Sequence, residues 1–153
     1  ASIVATALKR GLASPELVER AVEVMTTLND VAAEQARAAG AHALTDITGF
    51  GLLGHVHELA LASGVAAEID ADAVPAIDGV LELDAVSGGS RRNRADAETF
   101  TTWADDVPEP RRRLLCDAMT SGGLLAAVPD PEGIDGWPVG RLVEGAPGTI
   151  TVR

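Results

Sequence analysis

Cysteine is almost absent from the 153 residues: Cys116 stands alone. A single thiol closes no intrachain disulfide, which excludes a secreted disulfide scaffold. Aromatic residues are nearly as scarce. Two Trp, two Phe and no Tyr leave no stacking platform of the kind that holds single-stranded nucleic acid. Positive charge is in short supply, with 12 Lys and Arg against 23 Asp and Glu and a net charge of −11. A surface of that sign repels phosphate backbones and anionic membrane surfaces. No apolar run reaches the ~18 residues that a membrane-spanning helix needs. The longest candidate, residues 52–67, is broken by His55, His57, Glu58 and Gly64. Residues 1–6 lack the basic-then-apolar layout of a signal peptide. The expectation is a soluble, cytoplasmic protein with no nucleic-acid or membrane partner. What remains is ordinary for a globular chain: 46% hydrophobic and 23% charged residues, long enough for one domain whose core needs no metal or disulfide staple.

Along the chain, residues 1–12 begin without Met and run apolar to Gly11. They read as a helix closing on that glycine and as the tail of something longer. Ser14-Pro15-Glu16 opens a second helix, with Ser14 as cap and Pro15 in the first turn. Leu17, Ala21, Val24, Met25, Leu28 and Ala32 keep helical spacing, which predicts one long amphipathic helix up to Gly40, lying on a sheet. Further predicted elements are a strand over 42–45, a helix over 52–63, a strand over 65–71 and a short helix over 77–86. Residues 87–90 read as a loop, 96–103 and 110–117 as helices, and 124–128 as a buried strand. Residues 139–143 and 149–152 read as a terminal hairpin. Helices and strands mix without strict alternation, so the expected class is α+β, a layered mixed sheet flanked by helices.

One segment stands out chemically: Thr45-Asp46-Ile47-Thr48-Gly49-Phe50-Gly51-Leu52-Leu53-Gly54-His55. It places a carboxylate at a strand end, then two glycines, then a helix start. Glycines let backbone N–H groups come close to a ligand, and a helix N-terminus favours anions. A carboxylate beside such a site suits Mg²⁺, which commonly takes one or two carboxylates plus substrate phosphates. On residue types alone, an ordinary strand–turn–helix connection capped by Asp46 explains the pattern as well. His55 and His57, two apart, do not share a helix face, so they make no metal pair; they and His42 read as surface or locally hydrogen-bonded histidines. Ser87-Gly88-Gly89-Ser90-Arg91-Arg92-Asn93-Arg94 joins a flexible loop to three guanidiniums, either a phosphate-recognition cluster or a solvated basic face. Arg111, Arg112 and Arg113 read as an exposed helix face, and Cys116 as a buried, inert thiol. Thr120-Ser121-Gly122-Gly123 is either a tight turn or a second backbone lip around the same ligand.

Taken in order, four segments resemble the selenophosphate synthetase (selenide, water dikinase) family: Thr6-Ala7-Leu8-Lys9-Arg10-Gly11, the 45–55 motif, Gly88-Gly89-Ser90-Arg91-Arg92-Asn93, and Leu114 through Leu125. The whole chain is similar to the C-terminal domain of that enzyme, within the aminoimidazole ribonucleotide synthetase superfamily. The resemblance implies that fold, with residues 1–12 as the tail of an interdomain helix and the N-terminal catalytic half absent. It implies an enzyme forming selenophosphate, AMP and phosphate from selenide, ATP and water, with Mg²⁺ and ATP bound between the halves. Asp46 is the metal ligand it assigns. Thr48, Gly49, Gly51, Arg92, Asn93, Thr120, Ser121 and Gly122 become the expected phosphate or nucleotide pocket. The family's reactive Cys or selenocysteine and its Lys lie outside this sequence, so Cys116 does not take that role and the chain by itself is expected to be inactive. Its expected partners are its own N-terminal domain, ATP and selenide, within a homodimer of the longer protein. Two alternatives stand beside this. One is another ATP-dependent member of the superfamily, whose relatives include thiamine-monophosphate kinase, a hydrogenase maturation dehydratase and purine-synthesis amidotransferases. The other is a non-catalytic binding or scaffold module.

Overall fold

A computed structural model describes residues 1–153. In chain order the elements are α1 (Ser2–Lys9), α2 (Pro15–Thr26), α3 (Asp30–Ala38), β1 (Ala43–Asp46), α4 (Gly51–Ala62), β2 (Ala66–Ile69), α5 (Gly88–Ala97), β3 (Thr101–Trp103), α6 (Glu109–Leu115), β4 (Leu124–Ala127), β5 (Gly140–Val143) and β6 (Ile150–Val152). The class is α+β with helices around two sheets. One sheet has four strands in the order β3-β6-β2-β5, and the other is the antiparallel pair β1-β4.

Two cores hold these elements. The larger joins Leu52, Leu53, Val56 and Ala60 of α4 to Ala67 and Ile69 of β2, Ile150 and Val152 of β6, and Leu115 and Cys116 after α6. The smaller gathers Ile3, Val4 and Ala7 of α1 with Ala21 of α2, Val80 and Ala85. Leu114 packs against both. Burial of these apolar side chains supplies the main drive for folding.

Several expectations hold. Helix α1 ends before Gly11, which takes φ +69°. Ser14 caps α2, its Oγ accepting from Leu17 N at 3.3 Å. Glu16 beside it is held below the usual carboxylate range by hydrogen bonds from its own backbone amide and from Ser14. The α4 and β1 segments also fall where the patterning places them.

Others are corrected. The single long helix breaks into α2 and α3. Thr26 and Thr27 turn their hydroxyls back onto Val22 and Glu23 carbonyls, and Thr27 goes extended, so the axis changes direction. Helix α2 packs on α1, while α3 lies against β4. The helix expected over 77–86 shrinks to a 3-10 turn, Val80–Glu82, between left-handed Gly79 and extended Leu83. Residues 88–90 are not loop but the first turn of α5, because Ser87 Oγ accepts from Ser90 N at 3.0 Å and caps it. Helix does not continue to residue 103: Thr101 and Thr102, β-branched, enter β3 beside β6. The strand at Leu124 is half-buried rather than buried. The terminal hairpin does not form. Strands β5 and β6 flank β2 instead, β5 antiparallel and β6 parallel, because β2 offers two open edges and a buried face between them.

The run Arg111–Arg113 is no solvated face. Arg111 donates to Val74 O and pairs with Asp72. Arg112 donates to Val107 and Ala104 carbonyls and lies over the Trp103 ring. Arg113 pairs with Asp84. Guanidinium forks of this kind suit several fixed acceptors at once.

Candidate functional site

Two loops build the site. Residues 46–51 leave β1 and enter α4; residues 116–123 leave α6 and enter β4. Because β1 and β4 are antiparallel, with Asp46 opposite Leu124, the loops continue side by side. Ile47 N donates to Gly123 O at 2.9 Å, Gly122 N to Ile47 O at 3.0 Å and Met119 N to Thr48 O at 3.0 Å. The 120–123 segment, which the sequence left open as a tight turn or a second lip, therefore packs against the 46–51 loop.

Two glycines make this approach close. A side chain on Gly122 would meet Ile47 O at 2.5 Å. Gly51, at φ +71°, sets the start of α4 against the backbone of Cys116 and Asp117, where a Cβ would sit 2.9 Å from Asp117 O. Both are buried and serve packing between the loops. Gly49 is exposed, with open space around its missing Cβ.

Asp46 ends β1 on the outward side, sharing the exposed face of that strand with Leu44. Its Oδ1 accepts from Asn29 Nδ2 at a long 3.3 Å. The same amide donates to Gly122 O at 3.1 Å, so Asn29, in the turn between α2 and α3, touches both loops. Asn93 of α5 does the same from the other side: its Nδ2 donates to Gly49 O at 2.8 Å and to Cys116 O at 3.2 Å. His55, buried in the second turn of α4, accepts the Thr48 N–H on Nε2 at 2.9 Å. Asp46, Thr48, Gly49, Gly51, Asn93 and Gly122 are thus gathered into one bonded structure. Thr120 and Ser121 lie in the second loop, Thr120 exposed and Ser121 half-buried. Arg92 is exposed on α5 and stands outside that bonded set.

Asn29 and Asp117 escaped the sequence reading. Asp117 is 2% exposed. It accepts from Ser2 N at 3.0 Å, Ser2 Oγ at 2.6 Å, Ile3 N at 3.3 Å and Ser90 Oγ at 2.8 Å. A carboxylate 114 or more residues away in sequence caps α1, a partnership that local pattern does not carry. Asn29 falls inside the stretch that the spacing predicts as one continuous helix, which hid its place in the turn before α3 and its reach to Asp46.

Cys116 is buried as expected. Burial pushes its thiol from 9.0 up to about 12, with Arg94 opposing the rise and Glu98, Glu109 and Asp117 adding to it. A thiol held neutral is no nucleophile near neutral pH. His57 is bonded across the fold rather than locally, its Nδ1 lying 2.8 Å from Gly148 O and its ring stacked on Phe100. His42 is exposed.

Nowhere do three His, Cys, Asp or Glu side chains converge as a metal cage would need. The Asp46 carboxylate is nevertheless the hard-oxygen donor type that Mg²⁺ takes. It is exposed and keeps lone pairs that the single long bond from Asn29 does not use. No helix is long and apolar enough to cross a membrane.

The chain is 40% identical to selenide, water dikinase of Escherichia coli strain K12 and of Shigella boydii serotype 4, in each case across 99% of this chain and 47% of the relative. It is 45% identical to the protein of that name from Cronobacter sakazakii, over 82% of this chain and 36% of the relative. The matched region is the C-terminal part of those proteins, and the chain spans about half their length or less. Residues 2–152 match the family model described as AIR synthase related protein, C-terminal domain, and with that match the chain belongs to that family.

Proposed function

We propose that this chain is the C-terminal domain of an ATP-dependent selenophosphate synthetase and supplies one Mg²⁺ ligand, Asp46, at its seam with the rest of the polypeptide. The reaction on this reading converts selenide, ATP and water into selenophosphate, AMP and phosphate. The observation that carries it is the exposed Asp46 carboxylate, touched by one long bond from Asn29, on a loop tied down from His55 and Asn93. Identity of 40% to proteins named selenide, water dikinase supports the choice of chemistry.

The division of labour follows from the geometry. Asp46 would hold the ion; the ion, when bound, supplies positive charge against the phosphates in transfer. Thr48 and Gly49 form the exposed rim beside it. Gly51, Asn93 and Gly122 stand behind that rim and hold its shape. Three or more His, Cys, Asp or Glu side chains converge nowhere in this chain, so the reading assigns the remaining ligands, the reactive selenium-handling residue and most nucleotide contacts to the other half of the polypeptide.

The test is Asp46→Asn in the complete polypeptide, assayed for ATP-dependent selenophosphate formation. The amide keeps the size and loses the charge. Activity should fall by about 10²-fold or more, the scale set by removing one preorganised electrostatic contact. Unchanged activity removes Asp46 from the mechanism.

A further inference from the structure

The entry to α4 needs an anchor that its cap position does not supply, since Phe50, just before the helix, makes no side-chain cap and the first turn holds no acidic residue. His55 fills that need from inside the helix. It is 7% exposed, and its Nε2 lies 2.9 Å from Thr48 N and 3.3 Å from Thr48 Oγ1. A backbone N–H only donates, so Nε2 must present a lone pair and a neutral ring must carry its proton on Nδ1. The Thr48 carbonyl is held as well, accepting from Gly51 N and Met119 N, each at 3.0 Å. Both polar ends of Thr48 are therefore fixed, one by the imidazole and the other by α4 and the facing loop. Asp46 lies two residues upstream, joined to Thr48 through Ile47, whose N–H donates to Gly123 O and whose carbonyl accepts from Gly122 N. Phe50, whose ring centroid is 5.7 Å from that of His55, closes the loop over the imidazole.

We infer that His55 is a positioning residue for Asp46: as a neutral, Nδ1-protonated imidazole it sets the Thr48 peptide and so aims the carboxylate. This rests on the reading of Asp46 as a ligand, and the experiment separates the two. The ring nitrogens of the 153-residue chain are first assigned by nitrogen NMR, without mutation. Proton on Nδ1 and a lone pair on Nε2 is the expected result; the reverse tautomer overturns the inference. Amide exchange is then followed in His55→Phe, which keeps ring bulk, and His55→Gln, which keeps an acceptor in reach. Thr48 N–H should exchange about tenfold faster in the Phe variant, the equivalent of one lost hydrogen bond, and near the parent rate in the Gln variant. In the complete polypeptide the Phe variant should lose about tenfold to a hundredfold in kcat with KM for ATP little changed, as for misplacement of a reacting group, and Gln should restore most of it. A Phe variant that exchanges Thr48 normally overturns the anchor. One that frees Thr48 yet keeps full kcat overturns the aiming of Asp46. A complete parent polypeptide that makes no selenophosphate refutes the reading of Asp46, while tautomer and exchange still decide the anchor.

Discussion

Two buried side chains show what single residues decide here. Asp117 gathers four donors from α1 and Ser90. Truncating it takes the acceptor from the Ile3 N–H and one bond from each of Ser2 N, Ser2 Oγ and Ser90 Oγ, which keep Ala118 O and the Ser2–Ser87–Ser90 hydroxyl contacts, a loss of about 1–3 kcal/mol. Asp117→Ala should therefore lower the urea midpoint strongly, and Asp117→Asn, which keeps one acceptor oxygen, should recover part of it. An Ala variant with an unchanged midpoint would show that α1 does not depend on this cap. Cys116 makes a pH prediction. Its thiol is raised to about 12 in the fold and returns to about 9 in the unfolded chain. Below about pH 9 both states are protonated and nothing changes. Between about 9 and 12 only the unfolded state ionises, so stability falls, by up to about 1.4 kcal/mol per pH unit from this group. Urea titrations of the parent and Cys116→Ala across that range should diverge, with the parent losing stability faster.

At the scale of elements, the site is a property of two loops rather than of one motif. Strand register brings 46–51 against 116–123, and Gly122 permits the contact. Gly122→Ala would drive a methyl against Ile47 O, and a backbone atom cannot rotate away as a side chain does. A destabilisation of about 1–3 kcal/mol is expected, with faster amide exchange at Ile47, whose N–H binds Gly123 O. Retention of parent stability and parent exchange would mean that the loops part easily. The elements also mark where patterning misleads. Ser87-Gly88-Gly89-Ser90 carries loop composition, yet a serine cap turns it into helix. Arg91, Arg92 and Arg94 therefore ride on α5, with Asn93 between them reaching the Gly49 carbonyl.

For the molecule as a whole, two cores share Leu114 and enclose a fold whose candidate ligand faces outward. A site without three or more converging His, Cys, Asp or Glu side chains holds a divalent cation weakly, since Mg²⁺ sites usually combine carboxylates with substrate phosphates. Calorimetry of the 153-residue chain with Mg²⁺-ATP should detect weak binding or none. Tight one-to-one binding would overturn the shared-site reading and favour a complete binding module.

Much of this was legible before any coordinates. Ser14-Pro15 and Gly11 announced helix limits because caps and left-handed glycines act within a few residues. The 45–55 motif declared a strand, a turn and a helix start for the same reason. The inertness expected of Cys116 followed from the lack of an activating base among its sequence neighbours. Partners distant in the chain were not legible. Asp117 finding α1, Asn29 reaching Asp46 and β2 drawing β5 and β6 to opposite edges each depend on which segments the cores bring together. Short-range patterns encode the conformations that neighbouring residues impose on one another. Tertiary packing selects the long-range contacts, because only the assembled cores bring remote donors and acceptors within hydrogen-bonding distance.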